Sequence, residues 1–250
     1  MPKTVVTLPT YNEIENLPRM IAALLALPVA DLHVLVVDDN SPDGTGQRAD
    51  ELAQAHPGQV SVLHRQEKGG LGPAYVAGFA QALQLGADYI IQMDADFSHQ
   101  PKYVPQMIAM MDEGYDLVIG SRYVKGGGVD QNWHFLRKLL SWFANRIYVH
   151  FLLRVPILDA TGGYKIWRRR TLTSMNLADI RSNGYVFQVE MTYVAWRLGF
   201  RLGEFPIYFP DREVGESKMH SRIAAEAALG VFQIMQRHHQ LTPAARRNEA

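Results

Sequence analysis

Short apolar, β-rich runs at Val5–Leu8, Val34–Val37, Val60–Leu63, Tyr89–Met93 and Leu117–Ile119 punctuate the first half of this chain. Between them, Glu13–Leu27, Thr45–Ala55, Ala74–Leu85 and Val104–Glu113 space their apolar residues as helices do. An unbroken apolar run reads as a strand covered on both faces, and strand–helix–strand repetition imposes right-handed crossovers and a parallel sheet. The expected fold is therefore α/β, a mainly parallel sheet between helical layers. In such sheets ligands sit beyond the carboxyl ends of the strands.

Those ends carry Pro9-Thr-Tyr-Asn-Glu13, Asp38-Asp39-Asn-Ser-Pro-Asp-Gly44, Asp94-Ala95-Asp96 and Ser121-Arg122-Tyr123. Asn12 and Asp43 suit helix caps. Loop solvation does not account for acids recurring at one rim. Asp94 and Asp96 follow an apolar run directly, and with extended geometry residues i and i+2 face the same way. Paired carboxylates repel unless a proton or cation lies between them. Oxygen-only ligands favour a hard ion, Mg²⁺ or Mn²⁺, with open positions for substrate phosphates. Of Asp38 and Asp39, facing opposite ways, one is expected to reach the ligand. Glu13 suits either a contact to base or sugar or a favourable interaction with a helix dipole. The first strand is followed by neither G-x-G-x-x-G nor a P-loop, which argues against a dinucleotide dehydrogenase and a P-loop kinase.

Composition narrows the classes further. The 250 residues are 47% hydrophobic, enough for a substantial core, and 25 Lys+Arg balance 25 Asp+Glu, so no nucleic-acid partner is expected. The chain has no cysteine, which excludes a disulfide scaffold, a thiolate metal site and a cysteine nucleophile. Pro9 interrupts the first apolar run, so no secretory signal is expected, and no stretch reaches the roughly 20 apolar residues of a spanning helix.

The second half is less regular. A glycine loop, Lys125–Val129, precedes an aromatic, basic helical stretch, Trp133–Leu153. Thr161–Trp167 reads as strand, Tyr185–Leu198 as helix, Arg201–Phe209 as strand, Asp211–His220 as a charged loop and Ser221–Arg237 as helix. With no repeat and no linker composition, the expectation is one catalytic domain over residues 1–220, a C-terminal helix over 221–239 and a disordered tail over 240–250. Leu136, Leu139, Leu140, Phe143 and Ile147 share a helix face, with Arg137, Lys138, Arg146 and Arg154 nearby. That pattern fits an amphipathic helix lying on an anionic membrane, or equally a core helix with snorkelling arginines.

The strand-end motifs, with Met93-Asp-Ala-Asp-Phe-Ser-His99, Gly120-Ser-Arg-Tyr123, Asp159-Ala-Thr-Gly-Gly163, Gly184-Tyr-Val-Phe-Gln-Val-Glu190 and Asp211-Arg-Glu-Val-Gly-Glu-Ser-Lys218, resemble the dolichol-phosphate (polyprenol-phosphate) mannose synthases. These are inverting family-2 glycosyltransferases of the GT-A fold, a Rossmann-like three-layer sandwich. The resemblance runs in order from about Thr4 to Lys218. It implies that Pro9, Tyr11, Glu13, Val37 and Asp39 line a guanosine pocket. Asp94 and Asp96 would hold a metal on the diphosphate of GDP-mannose, with Ala95 touching the nucleotide through its backbone. Arg212 and Lys218 would close over the diphosphate, and Arg122, Arg137 and Ser141 would receive the phosphate of a polyprenyl acceptor. Catalysis would rest on Asp94, Asp96, Arg122, Arg212 and Lys218. The implied location is the cytosolic face of a membrane, reached through amphipathic segments or a separate membrane subunit. Ser98 departs from the pattern, since certain members carry a longer amide there, which puts a third protein ligand in doubt.

No residue stands out as a general base, which fits an acceptor that is already ionised. The nearest rival is a synthase moving glucose from UDP-glucose to the same lipid. A sugar-nucleotide-forming nucleotidyltransferase would share the sheet and the metal but typically carries a glycine-rich N-terminal loop. A non-catalytic membrane-docking subunit would have no use for Asp94, Asp96, Arg212 and Lys218.

Overall fold

The computed structural model describes residues 1–130, 150–210 and 221–246. Its strands are β1 (Thr4–Thr10), β2 (Leu32–Asp38), β3 (Val60–His64), β4 (Tyr89–Gln92), β5 (Leu117–Ser121), β6 (Gly128–Val129), β7 (Lys165–Arg168), β8 (Leu202–Pro206) and β9 (Tyr208–Phe209). Between them lie α1 (Asn16–Leu25), α2 (Thr45–Ala55), α3 (Leu71–Gln84), α4 (Val104–Asp112), α5 (His150–Leu153), α6 (Arg169–Thr173), α7 (Gly184–Arg197) and, last, α8 (Ser221–His238). Seven strands form one sheet in the order β3-β2-β1-β4-β7-β5-β8, and β6 pairs with β9.

Alternation along each strand divides the core into two layers. Val6, Leu8, Val34, Val36 and Ile91 face α1, α2 and α4, where Leu17, Met20, Ile21 and Leu24 present a stripe at helical spacing. Val5, Leu35, Val37 and Ile90 face the opposite way, toward Ala74, Tyr75 and Phe79 of α3 and Phe187 of α7. Removing a buried Leu or Ile side chain from either layer costs about 2–5 kcal/mol. Gly78 lets α3 sit close, since a Cβ there would lie 3.0 Å from Val37 Cγ2.

The sheet is mainly parallel, as expected, with one strand reversed, and two other expectations are corrected. The strand read at Thr161–Trp167 enters as β7, which runs antiparallel between β4 and β5 and so interrupts an otherwise parallel sheet. A short apolar run carries no mark of direction. Asn12 is not the cap of α1: it adopts a left-handed φ of 61° and the helix begins at Asn16. Asp43 does serve as a cap-like acceptor, taking the Thr45 amide at 3.0 Å and the Thr45 hydroxyl at 2.6 Å. The tail through Arg246 is docked: Arg197 Nη2 donates to Leu241 O at 2.7 Å and Arg246 Nε to Leu198 O at 2.7 Å. Polar composition hid these bonds because their acceptors are backbone carbonyls. Residues 131–149, most of the proposed interfacial helix, lie outside the described residues. Among the described residues no helix is long and apolar enough to cross a membrane.

Candidate active site

The loops after β1, β2 and β4 leave the same edge of the sheet, and each holds one non-glycine residue in left-handed backbone: Asn12 (φ 61°), Asn40 (57°) and Phe97 (61°). Asparagine tolerates this conformation, whereas an aromatic residue is held there at a cost of roughly 1–3 kcal/mol. Neighbouring contacts fix each loop.

Asp38 and Asp39 separate by role. Asp38 holds its own turn, accepting from Ser41 Oγ at 2.6 Å, the Ser41 amide at 3.1 Å and Thr10 Oγ1 at 3.2 Å. Asp39 reaches the loop between β3 and α3, where it pairs with Arg65 and accepts the Gly70 amide at 3.1 Å. Gly70 has a φ of +90° and abuts Asn183, so a side chain is excluded there on two counts. Arg65, Gln66 and Glu67 line a cavity of about 590 Å³. Lys68 places its ammonium 3.5 Å from the centre of the Tyr11 ring. Glu13 lies just ahead of α1: its amide donates to Thr45 Oγ1 at 2.9 Å and its carboxylate accepts from Asn16 Nδ2 at 2.8 Å. Pro9 is half-buried opposite Val37 in the β1–β2 register. Val37 corrects an expectation: it does not line a pocket but is fully buried, with its side chain in the core under α3, because strand alternation turns it away from the rim.

The carboxylates of Asp94 and Asp96 are not set by strand alternation, because β4 ends at Gln92 and both residues lie in the bend beyond it. Each is fixed separately. Asp94 Oδ1 accepts from the hydroxyl of fully buried Tyr75 at 2.8 Å, and the Asp94 amide donates to His99 Nδ1 at 2.9 Å. Burial first, then the charge of Asp94, holds the Tyr75 hydroxyl pKa well above its ordinary value, so the phenol stays a donor. Asp96 Oδ1 takes the Ser98 hydroxyl at 2.5 Å and the Ser98 amide at 3.0 Å. Ala95 packs into the core between them.

Among the described residues, no group of three or more acids or histidines gathers to hold a metal. Two carboxylates with oxygen-only donors suit a hard ion that takes its remaining ligands from phosphate and water. The Asp94 side chain is 27% exposed, so it is open to such a ligand.

Arg122 is held elsewhere along the edge. Its Nε and Nη2 donate to Asp159 Oδ2 and Oδ1 at 2.8 and 2.7 Å, and Nη2 also donates to Thr161 Oγ1 at 3.0 Å. Burial would lower its pKa, but the Asp159 charge and hydrogen bonds outweigh that and raise it. Glu204 of β8 supports Asp159 by accepting the Leu158 and Asp159 amides at 2.9 and 3.0 Å. Phe209 joins the two zones: its ring lies 5.7 Å from that of His99 and 5.4 Å from the Arg122 guanidinium carbon.

Glycosyl transferase family 2 matches residues 5–174. The chain is 48% identical over 92% of its length to polyprenol monophosphomannose synthase of Mycolicibacterium smegmatis, covering 85% of that protein. It is 49% identical over 90% of its length to undecaprenyl-phosphate mannosyltransferase of Micrococcus luteus, covering 90% of that protein. The chain belongs to the polyprenol-phosphate mannose synthases of glycosyl transferase family 2.

As a family-2 glycosyltransferase it has the expected GT-A-like fold. Glucosyl-3-phosphoglycerate synthase from Mycobacterium tuberculosis, solved with Mn²⁺, UDP and phosphoglyceric acid, superposes with a TM-score of 0.69 at 18% identity. That match covers 94% of this chain and 78% of the other. Of the site residues that the resemblance implies, Tyr11 and Asp39 touch the loop between β3 and α3, while Pro9 and Glu13 lie at and just beyond the end of β1. Asp94 and Asp96 share the bend after β4, and Arg122 neighbours it through Phe209. Arg137, Ser141, Arg212 and Lys218 lie outside the described residues.

Arg65, Lys68, Tyr75, Asn183 and Glu204 carry no mark in the sequence motifs, and Thr161 lies in the Asp159–Gly163 motif without an expected role. The first two had a signal: Gly69-Gly70 directly before a helix marks a loop that approaches a ligand or another backbone. The others touch the site through contacts between 19 and 114 residues apart, which no local spacing reveals.

Proposed function

We propose that this glycosyltransferase moves mannose from GDP-mannose to a polyprenyl phosphate, giving polyprenyl-phosphate mannose and GDP. The observation that carries this reading is the near-half identity with two lipid-phosphate mannosyltransferases along almost the whole chain. The arrangement of the site supports it. Carboxylates at 94 and 96 suit a metal-bound diphosphate, and Arg122, linked to that bend through Phe209 and His99, suits the acceptor phosphate.

In this reading Tyr11, Glu13 and Asp39, with Pro9, form the nucleoside side of the site, and Val37 serves the core beneath it. Asp94 and Asp96 hold Mg²⁺ or Mn²⁺, with Ala95 against the nucleotide through its backbone. When bound, the ion supplies positive charge that stabilises the departing diphosphate. Arg212 and Lys218 add two further cations to that end of the donor. Arg122, Arg137 and Ser141 orient the acceptor phosphate. One of its oxygens bonds to the anomeric carbon as the carbon–oxygen bond to the β-phosphate breaks, inverting the centre and releasing GDP. The attacking oxygen is already ionised at neutral pH, so orientation replaces general-base catalysis. The enzyme works peripherally at the cytosolic face, with or without a separate membrane subunit, and residues 1–220 form its catalytic unit.

Purified enzyme incubated with polyprenyl phosphate and Mg²⁺ should consume GDP-mannose in preference to UDP-glucose and release GDP. Preferred use of UDP-glucose would replace this reading with the glucosyl one, and release of pyrophosphate would point to a nucleotidyltransferase.

A further inference from the structure

Asp94 reaches the site from a bend, so something other than strand geometry must fix its carboxylate. One oxygen, Oδ1, is tied at 2.8 Å to the hydroxyl of Tyr75, which is fully buried. The other oxygen, Oδ2, lies 4.0 Å from His99 Nδ1, and the side chain as a whole is 27% exposed.

Tyr75 itself cannot swing away. Its ring stacks on Phe79, with centroids 5.8 Å apart and planes at 23°. On the Phe187 ring the centroids are 6.0 Å apart and the planes differ by 3°. Phe187 belongs to α7, whose first turn is tied to α3 through Asn183: its side chain accepts the Gly72 amide at 2.9 Å and the Gly184 amide at 2.8 Å. Gly72 permits this contact, since a Cβ there would lie 2.6 Å from Ser182 O. The motif Gly184–Glu190 thus acts on the acidic bend without reaching it, by holding the ring that holds the tyrosine.

We infer that Tyr75 is a positioning residue for the divalent ion: clamped by Phe187, its hydroxyl occupies Asp94 Oδ1 and directs Oδ2 to the cation. This rests on the donor-site reading above. Outer partners of metal-binding carboxylates typically change metal affinity by about 10–100-fold when removed.

The test is Mn²⁺ binding in the presence of GDP, read from the free-Mn²⁺ electron paramagnetic resonance signal, for wild type and Tyr75→Phe. The substitution keeps the ring and its stacking and removes only the donor. Expected are a dissociation constant for Mn²⁺ raised about 10-fold or more, GDP binding in EDTA unchanged, and a melting temperature close to wild type. Equal Mn²⁺ affinity in the two proteins overturns the positioning role and leaves the donor site standing. Wild type that retains no Mn²⁺ with GDP defeats the donor-site reading and this inference together. Phe187→Leu provides the second variant, which keeps the hydroxyl but frees the ring. An intermediate loss of Mn²⁺ affinity supports the clamp, and wild-type affinity there refutes it.

Discussion

Arg122 and Asp159 meet as a two-pronged ion pair largely withdrawn from solvent, with the Asp159 side chain fully buried and that of Arg122 8% exposed. Removing one partner strands the other. Arg122→Met should cost about 3–5 kcal/mol in urea unfolding, because Asp159 is left as an uncompensated buried charge. The double variant Arg122→Met/Asp159→Leu should recover most of that loss. A single variant within about 1 kcal/mol of wild type would mean that the pair is not the structural element described.

Asp94→Asn and Asp96→Asn should each lower transfer by on the order of 10²-fold or more, the scale typical of losing charge stabilisation at a reacting phosphate. Their stabilities should differ. Asp94 is partly exposed, whereas Asp96 is buried and accepts two bonds from Ser98, so the second substitution should cost more in thermal unfolding. Turnover retained by Asp94→Asn without added metal would remove Asp94 from the proposed role.

Glu190 sets an acid limit. Its buried carboxylate accepts the Ser182 amide at 2.9 Å and His238 Nε2 at 2.8 Å, and it pairs with Arg237. Burial alone would raise its pKa, but the His238 and Ser182 hydrogen bonds and the Arg237 charge lower it from 4.5 to about 2. The unfolded chain therefore binds more protons between those values. The stabilisation, roughly 3 kcal/mol, is complete above pH 4.5 and disappears as pH falls toward 2. The stability gap between wild type and Glu190→Gln should accordingly shrink over that window in chemical denaturation. A gap constant with pH would count against it.

Lys165 works in the opposite sense. It is fully buried, donating to Gln188 O at 2.7 Å and Gln188 Oε1 at 3.2 Å, while Gln92 links Gln188 to the Trp167 indole. Burial lowers its pKa from 10.5 to about 7, against an opposing contribution from Asp159. Between these values the unfolded chain holds the extra proton, so this residue makes stability rise with pH, by roughly 5 kcal/mol at most. Lys165→Met should stabilise the protein more at pH 7 than at pH 10. A gain that did not depend on pH would exclude the buried ammonium as its source.

Much of the architecture was legible because its signals are local. The runs at Val5–Leu8 and Val34–Val37 lie inside β1 and β2, and α2 spans Thr45–Ala55 as its spacing indicated. The acids at the sheet edge were legible for the same reason, since a strand end is a position in sequence. What escaped was set by distant partners. Nothing around Val37 indicates that Gly78 seals its side chain beneath α3, or around Asp39 that Arg65 and Gly70 occupy its oxygens. Direction escaped as well, because β7 owes its antiparallel run to the path of the chain after Gly163.

That reversed strand has a consequence for biosynthesis. β5 cannot join β4 directly, because β7 lies between them and Trp167 is 75 residues beyond its partner Gln92. As the polypeptide emerges from the ribosome, β1–β4 are free to assemble while β5 waits for a neighbour still being translated. Such long-range closure slows folding and leaves a sheet edge open to mispairing in the meantime. A released chain truncated at residue 130 should resist protease only across β1–β4, and protection of β5 should begin only in chains long enough to include β7 and β8.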